Sequence, residues 1–209
     1  MRFKKKGLFI SLEGPEASGK STQLKLLKKF FIKNNIPFIT TREPGGTIIA
    51  EKLRKIILDK DKSITLIEEL LLLMSSRLNH INNIIKPSLK KNKIVISDRF
   101  ADSTFIYQGY VGKIGLNKVM NLHKILLDNY LPHKTFLFCL PINEINNRLK
   151  KRKKGNKYDK IDSTFHLKVI NGYKIISKNN KRFVKINAMN TTKDIHDQII
   201  QNIINLIKR

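Results

Sequence analysis

Eight consecutive residues carry the clearest chemistry in this chain. Gly14-Pro15-Glu16-Ala17-Ser18-Gly19-Lys20-Ser21 reads G-x-x-x-x-G-K-S, a spacing that binds phosphate. The two glycines let the backbone curl so that successive amides point inward at an anion. A helix starting at the end of the loop adds its positive end. Lys20 is then set to reach β- and γ-phosphate oxygens, and the Ser21 hydroxyl to ligate Mg2+. The flanks supply the required context. Gly7 to Glu13 is apolar enough for a buried strand, and Ser21 to Lys33 has helical spacing.

Two further stretches end apolar runs in charge. Thr41-Arg42-Glu43-Pro44-Gly45-Gly46-Thr47 is a rigid turn poor in side chains. Thr47 can cap the helix that follows, and Arg42 can meet a phosphate with two parallel hydrogen bonds. Asp98-Arg99-Phe100 follows Ile94-Val95-Ile96. An acid there is placed for the Mg2+ sphere, usually through water, and Arg99 can neutralise an incoming phosphate. From Arg148 to Lys157, seven of ten residues are basic. Phosphoryl transfer needs positive charge on the moving group, and Ala17 supplies none. A basic lid over about 148–162 can bring an arginine on closing.

The elements that must position these groups alternate along the chain. Strands are expected at Leu8–Glu13, Pro37–Thr41, Lys93–Asp98, Thr135–Leu140 and Arg182–Asn187. Helices are expected near 19–34, 47–59, 64–85, 115–129, 142–153, 162–178 and 192–208. Apolar strands separated by helices predict an α/β fold with a five-stranded parallel sheet covered on both faces. Ligands in such sheets bind beyond the carboxyl ends of the strands, here Glu13, Arg42 and Asp98-Arg99. No linker or repeat interrupts the 209 residues, so one domain spanning 1–209 is expected. The first half of the helix near 64–85 has apolar residues on nearly every side, which predicts burial all round and a two-fold homodimer through this helix.

Bulk properties narrow the classes. The net charge of +26 admits nucleic acid or small polyanions as partners. No basic block pairs with a recognised nucleic-acid motif, so no specific nucleic acid is expected. The single Cys139 lies in an apolar run and is expected to be a buried thiol. It cannot form an internal disulfide, which fits a reducing, cytoplasmic setting. The basic first six residues lead straight into the phosphate loop, so no signal peptide is expected. No run of eighteen apolar residues exists, so no membrane span is expected either.

In this order, the pieces resemble the bacterial thymidylate kinase family nearly end to end. The narrow features are T-R-E-P-G-G-T, D-R-F, Ser103-Thr104 with Tyr107-Gln108-Gly109, and the basic segment ending Tyr158-Asp159-Lys160-Ile161-Asp162. The resemblance implies a three-layer P-loop NTPase fold and the reaction ATP + dTMP ⇌ ADP + dTDP with Mg2+. It implies ATP contacts from Gly14, Pro15, Glu16, Ala17, Ser18, Gly19, Lys20, Ser21 and Thr22, with metal contacts at Ser21 and Asp98. Glu16 resembles the family acid near the deoxyribose 3′-hydroxyl. Arg99 resembles the dTMP phosphate ligand, with Arg42 nearby, and Arg77 the donor to a thymine carbonyl. Ser103, Thr104 and Gln108 resemble base-edge or phosphate-side contacts, and Tyr107 the ring beneath the sugar. The uncharged Ala17 matches the branch whose catalytic arginine comes from the lid, for which Arg148 and Arg152 qualify, Arg152 having the better spacing before Asp159. Two positions depart from the family. Leu73 stands where Phe commonly stacks on thymine, and Lys160 where Arg commonly follows the lid Asp.

Overall fold

The computed structural model describes residues 7–59, 63–151 and 163–208. Five strands form its sheet: β1 (Leu8–Glu13), β2 (Phe38–Arg42), β3 (Ile94–Asp98), β4 (Lys134–Cys139) and β5 (Phe183–Asn187). Their order is β2-β3-β1-β4-β5, with every pairing parallel. β1 is buried along its whole length, as its apolar run requires in a sheet covered on both sides. The outer strands β2 and β5 are mostly half-buried.

Helices cover both faces. On one side α1 (Lys20–Lys33), α7 (Ile142–Lys150) and α9 (Thr192–Lys208) enclose a core containing Leu27, Phe31, Ile145, Ile199 and Ile203. On the other, α3 (Leu66–His80) and α6 (Leu116–Leu127) close over Phe9, Leu70, Met74, Val95, Val119 and Leu127. α2 (Ile48–Leu58) packs against α3, and α8 (Ser163–Ser177) against the stretch 105–111. Thr47 caps α2 as expected, its Oγ1 accepting from Ala50 N at 3.0 Å.

Register lines up the charged ends. Arg42 pairs with Asp98 across β2 and β3, and Asp98 with Leu12 of β1, one residue before Glu13. The order brings Arg42, Asp98 and Glu13 to one edge of three adjacent strands.

Two expectations change. The helix expected near 64–85 continues to Lys90, through a π-helical turn at Ile81–Ile85 into α4 (Lys86–Lys90). Lys86 N donates back to Ile81 O, and Pro87, which has no N–H, enters at the start of the new helix. α3 buries Leu70, Leu73 and Met74 within the chain and leaves Leu66, Ile67 and Leu71 exposed, the side that the expectation assigned to a second copy. Cys139 is exposed rather than buried: it is the last residue of β4, and the neighbours on either side, Phe138 and Leu140, take the buried places. One helical stretch was not expected. α5 (Ala101–Thr104) runs into a π-helical segment, Phe105–Val111.

Candidate functional site

The phosphate loop lies between β1 and α1. Gly14 has φ +136°, and a Cβ there would stand 2.6 Å from the Phe138 carbonyl oxygen, so only glycine fits. Gly19 (φ +96°) opens α1 with no side-chain cap, which leaves the first amides of the helix available to an anion. Lys20 folds back over the loop. Its Nζ donates to Gly14 O at 3.0 Å, Pro15 O at 2.7 Å and Ser18 Oγ at 3.2 Å. Burial, helped by the like charge of Arg99, pushes this ammonium down to about 8.

Across the cleft, Ser21 Oγ donates to Asp98 Oδ2 at 3.4 Å. Among the described residues no cluster of three metal-ligating side chains occurs. One hydroxyl and one carboxylate beside a phosphate cradle are the hard-oxygen donors that suit Mg2+, which keeps most of its shell as water and phosphate. The residues present therefore fit that ion. Thr22, Arg42, Arg54, Asp98 and Arg99 also line this cleft.

Arg99 stands where the cleft meets a second pocket. Its backbone is left-handed, φ +68°, a conformation costly for a residue with a Cβ. Neighbours over-determine it. Arg99 N donates to Leu12 O at 3.0 Å, Ser97 Oγ donates to Arg99 O at 2.6 Å, and Phe100 N donates to Glu13 Oε1 at 2.6 Å. The guanidinium donates to Glu16 Oε1 at 2.8 Å and to Ser103 Oγ at 2.9 Å, and lies 5.1 Å from the Tyr107 ring centre. Tyr107 Oη donates to Glu16 Oε2 at 2.7 Å. Burial favours the neutral acid at Glu16, but the Arg99 and Lys20 charges outweigh it and hold the carboxyl below its usual value. Glu13 goes the other way. Buried, with Asp102 near, it is pushed up to about 7, while it accepts from Ser103 Oγ (2.6 Å) and Tyr173 Oη (2.8 Å).

The second pocket is lined by apolar Ile57, Leu58, Leu73, Phe100 and Tyr107, with Arg54, Arg77, Ser103, Thr104 and Gln108 as its polar groups. It shares Glu16, Glu43, Arg54 and Arg99 with the phosphate cleft. Arg77 is only 2% exposed. Its Nε donates to Glu43 Oε2 at 2.7 Å and its Nη2 to Thr104 Oγ1 at 2.7 Å. The other Glu43 oxygen lies 3.0 Å from His80 Nδ1, and His80 Nε2 is 2.7 Å from Thr41 Oγ1. Burial alone would raise Glu43; the Arg77 charge and His80 lower it instead.

The residues singled out in the sequence thus fall around two joined cavities. Arg42, which lines the phosphate cleft, has its side chain 55% exposed and paired with Glu51 at 2.9 Å. Arg148 Nη1 reaches Ala17 O at 3.4 Å, while its Nε pairs with Glu144 at 2.7 Å. Arg152, Asp159 and Lys160 lie outside the described residues. Sequence reasoning gave no role to Glu13, Glu43, Arg54, Glu69 or Tyr173. Glu13 and Glu43 did carry a signal, as acids closing an apolar strand or preceding a proline. Arg54 and Glu69 sit in helices and look like surface charges until the fold is known.

A glycine loop between the central strand of a parallel sheet and the following helix defines the phosphate-loop nucleotide-binding class. A family model described as Thymidylate kinase matches residues 12–199. The chain is 41% identical over 203 residues to thymidylate kinase of Mycoplasma capricolum subsp. capricolum, covering 96% of this chain and 94% of that one. It is 39% identical over 198 residues to thymidylate kinase of Clostridium novyi, covering 93% and 97%. The crystal structure of thymidylate kinase from Ehrlichia chaffeensis superposes with a TM-score of 0.73 at 32% identity, covering 95% of this chain and 99% of the other. The chain belongs to the thymidylate kinase family.

Proposed function

We propose that the chain acts as one kinase domain that transfers the γ-phosphoryl group of ATP to dTMP, giving ADP and dTDP, and that it does so in the cytoplasm. The observation that carries this reading is the pair Glu16 and Arg99, which line both the phosphate cleft and the apolar pocket. Two phosphorylated ligands, one in each cavity, meet tail to tail at Arg99.

A phosphate oxygen of dTMP attacks the γ-phosphorus as the bond to the ADP oxygen breaks. That oxygen is already anionic, so no general base is needed, and catalysis is alignment and charge neutralisation. In this reading Gly14 to Thr22 cradle the ATP phosphates. Lys20 leaves the loop carbonyls for the β- and γ-oxygens, and Arg99 holds the dTMP phosphate with Arg42 nearby. Mg2+, held through Ser21 and Asp98, would neutralise charge on the β- and γ-phosphates. Glu16 fixes Arg99 and faces the sugar, with Tyr107 beneath it. Leu73, Arg77, Ser103, Thr104 and Gln108 surround the base and its phosphate side. Arg148 already reaches the loop at Ala17, which supports a lid cation for the transferring group; Arg152 is the other. A second copy of the chain covers the exposed Leu66, Ile67 and Leu71 of α3, and light scattering on a sizing column tests that dimer.

A panel of nucleoside monophosphates with ATP, with and without Mg2+, tests the function. The expected outcome is Mg2+-dependent ADP release with dTMP as the preferred acceptor. Preference for a different monophosphate would overturn the substrate, and no ADP release with any of them would overturn the reaction.

A further inference from the structure

Gln108, on the π-helical segment, and Glu69, on α3, meet at the edge of the second pocket. Gln108 Nε2 donates to Glu69 Oε1 at 2.7 Å. Both are buried, at 3% and 7% exposure. A carboxylate offers only acceptors, whereas a carboxamide has a donor end and an acceptor end. The Gln108 amide therefore has one permitted orientation, with its NH2 on Glu69 and its carbonyl oxygen left for the pocket it lines. Four residues earlier, Thr104 Oγ1 already accepts from Arg77 Nη2 at 2.7 Å, so its hydroxyl proton is free to be donated.

The polar edge of the pocket thus reads donor at Thr104 and Arg77, and acceptor at Gln108. A base whose edge sets a carbonyl oxygen beside a ring N–H complements that order, as the imide of thymine or uracil does. Cytosine presents an amino donor beside a bare ring nitrogen, and so meets groups of the wrong sense at both places. Buried polar groups left facing their own kind discriminate strongly.

We infer that Glu69 is a positioning residue that sets base choice. By holding the Gln108 amide in one orientation, it makes the pocket accept an imide pyrimidine and refuse an aminopyrimidine. This rests on the reading of the second pocket as the acceptor-nucleotide site.

The test compares wild type with Glu69→Gln, whose amide can either accept from Gln108 or donate to it. Steady-state kinetics are run with dTMP, dUMP and dCMP. In the variant, the preference for dTMP over dCMP in kcat/KM is expected to fall about tenfold. The loss should lie in a raised KM for dTMP with kcat nearly unchanged. The dTMP to dUMP ratio should hold, because both bases carry the imide. The exchanged pair Glu69→Gln with Gln108→Glu puts an obligate acceptor at 108 and should restore the preference. An unchanged dTMP to dCMP ratio in Glu69→Gln overturns the inference. So does an equal loss on all three substrates without recovery in the exchanged pair. Should the variants fail to fold, wild type is titrated with N3-methylated dTMP, which lacks the donor. Binding weaker than dTMP by about tenfold supports the orientation, and equal binding overturns it. Wild type that ignores dTMP would instead defeat the proposed function, a separate outcome.

Discussion

The phosphate cleft and the second pocket share Arg99 and Glu16, yet they are made in opposite ways. The cleft is built around one contiguous loop of backbone. A single run from Gly14 to Ser21 supplies its glycines, the open amides of α1 and one lysine. The pocket is mostly side chain. Glu43, Arg54, Arg77, Thr104 and Gln108 come from the β2–α2 turn, two helices and the 101–111 stretch, with Glu69 holding Gln108 from outside the lining, and several of them are bonded to one another in near-total burial. A backbone site tolerates any side chain its turn allows and recognises any phosphate. A side-chain site depends on distant partners and can tell one base from another. Removing a group should therefore cost the cleft chemistry and the pocket stability or selectivity.

The sharpest test of the cleft is Lys20→Ala. Among the described residues its ammonium bonds to loop oxygens, so the fold should survive. Turnover should fall about 10³-fold, as for other lost transition-state cations. Stopped assays with dTMP and ATP, alongside circular dichroism, check it. Near-normal turnover would remove the loop from the chemistry.

In the pocket, Arg77→Met should act first on stability. It leaves Glu43 buried without its guanidinium, since only His80 remains on the other oxygen. Stranding a buried charge costs about 3 kcal/mol. Urea unfolding should show a lower midpoint at an unchanged slope. An unaltered midpoint would mean the pocket does not depend on this network.

That contrast explains what could be read in advance. β1 was expected at Leu8–Glu13 and lies there, because a mostly apolar run bounded by a glycine loop has one sensible placement. The loop was legible for the same reason: its chemistry is contiguous. Glu69 was not, since nothing local marks it apart from Glu68, which merely caps α3 with Thr65. The segment 101–111 also escaped, because a four-residue α-turn running into a π-helical stretch through Gly109 has no 3.6-residue period to detect. α3 buries one apolar side within the chain and leaves Leu66, Ile67 and Leu71 exposed, and an apolar surface in the sequence does not say what covers it.

Glu13 lies at the boundary between the two regions and gives a pH-dependent test. Its folded value is about 7, from burial and then Asp102, against 4.5 for the free group. The folded protein therefore holds this proton more tightly than the unfolded chain. The resulting stability is complete below about 4.5 and is lost as pH rises through 7. In Glu13→Gln the amide can still accept from Phe100 N, and it has no proton to lose. Between pH 5 and 8, wild type should lose stability relative to the variant by an amount on the order of 2 kcal/mol, read from urea midpoints. Parallel curves would show that Glu13 does not titrate in this range.

The smallest effect expected is at Leu73, and it separates the pocket's walls from its edge. Leu73 is 7% exposed and lines the pocket as an apolar wall without a ring. In the proposed function it meets the base through its face, so it would contribute area and no hydrogen-bond sense. Leu73→Phe adds stacking worth about 1 kcal/mol, which should lower the KM for dTMP roughly fivefold. Because every pyrimidine has a face, KM for dCMP should fall in the same proportion and the dTMP to dCMP ratio should stay put. Equal Michaelis constants for wild type and variant would remove Leu73 from the base contact. A changed ratio would mean that the wall, and not only the Glu69–Gln108 edge, reads the base.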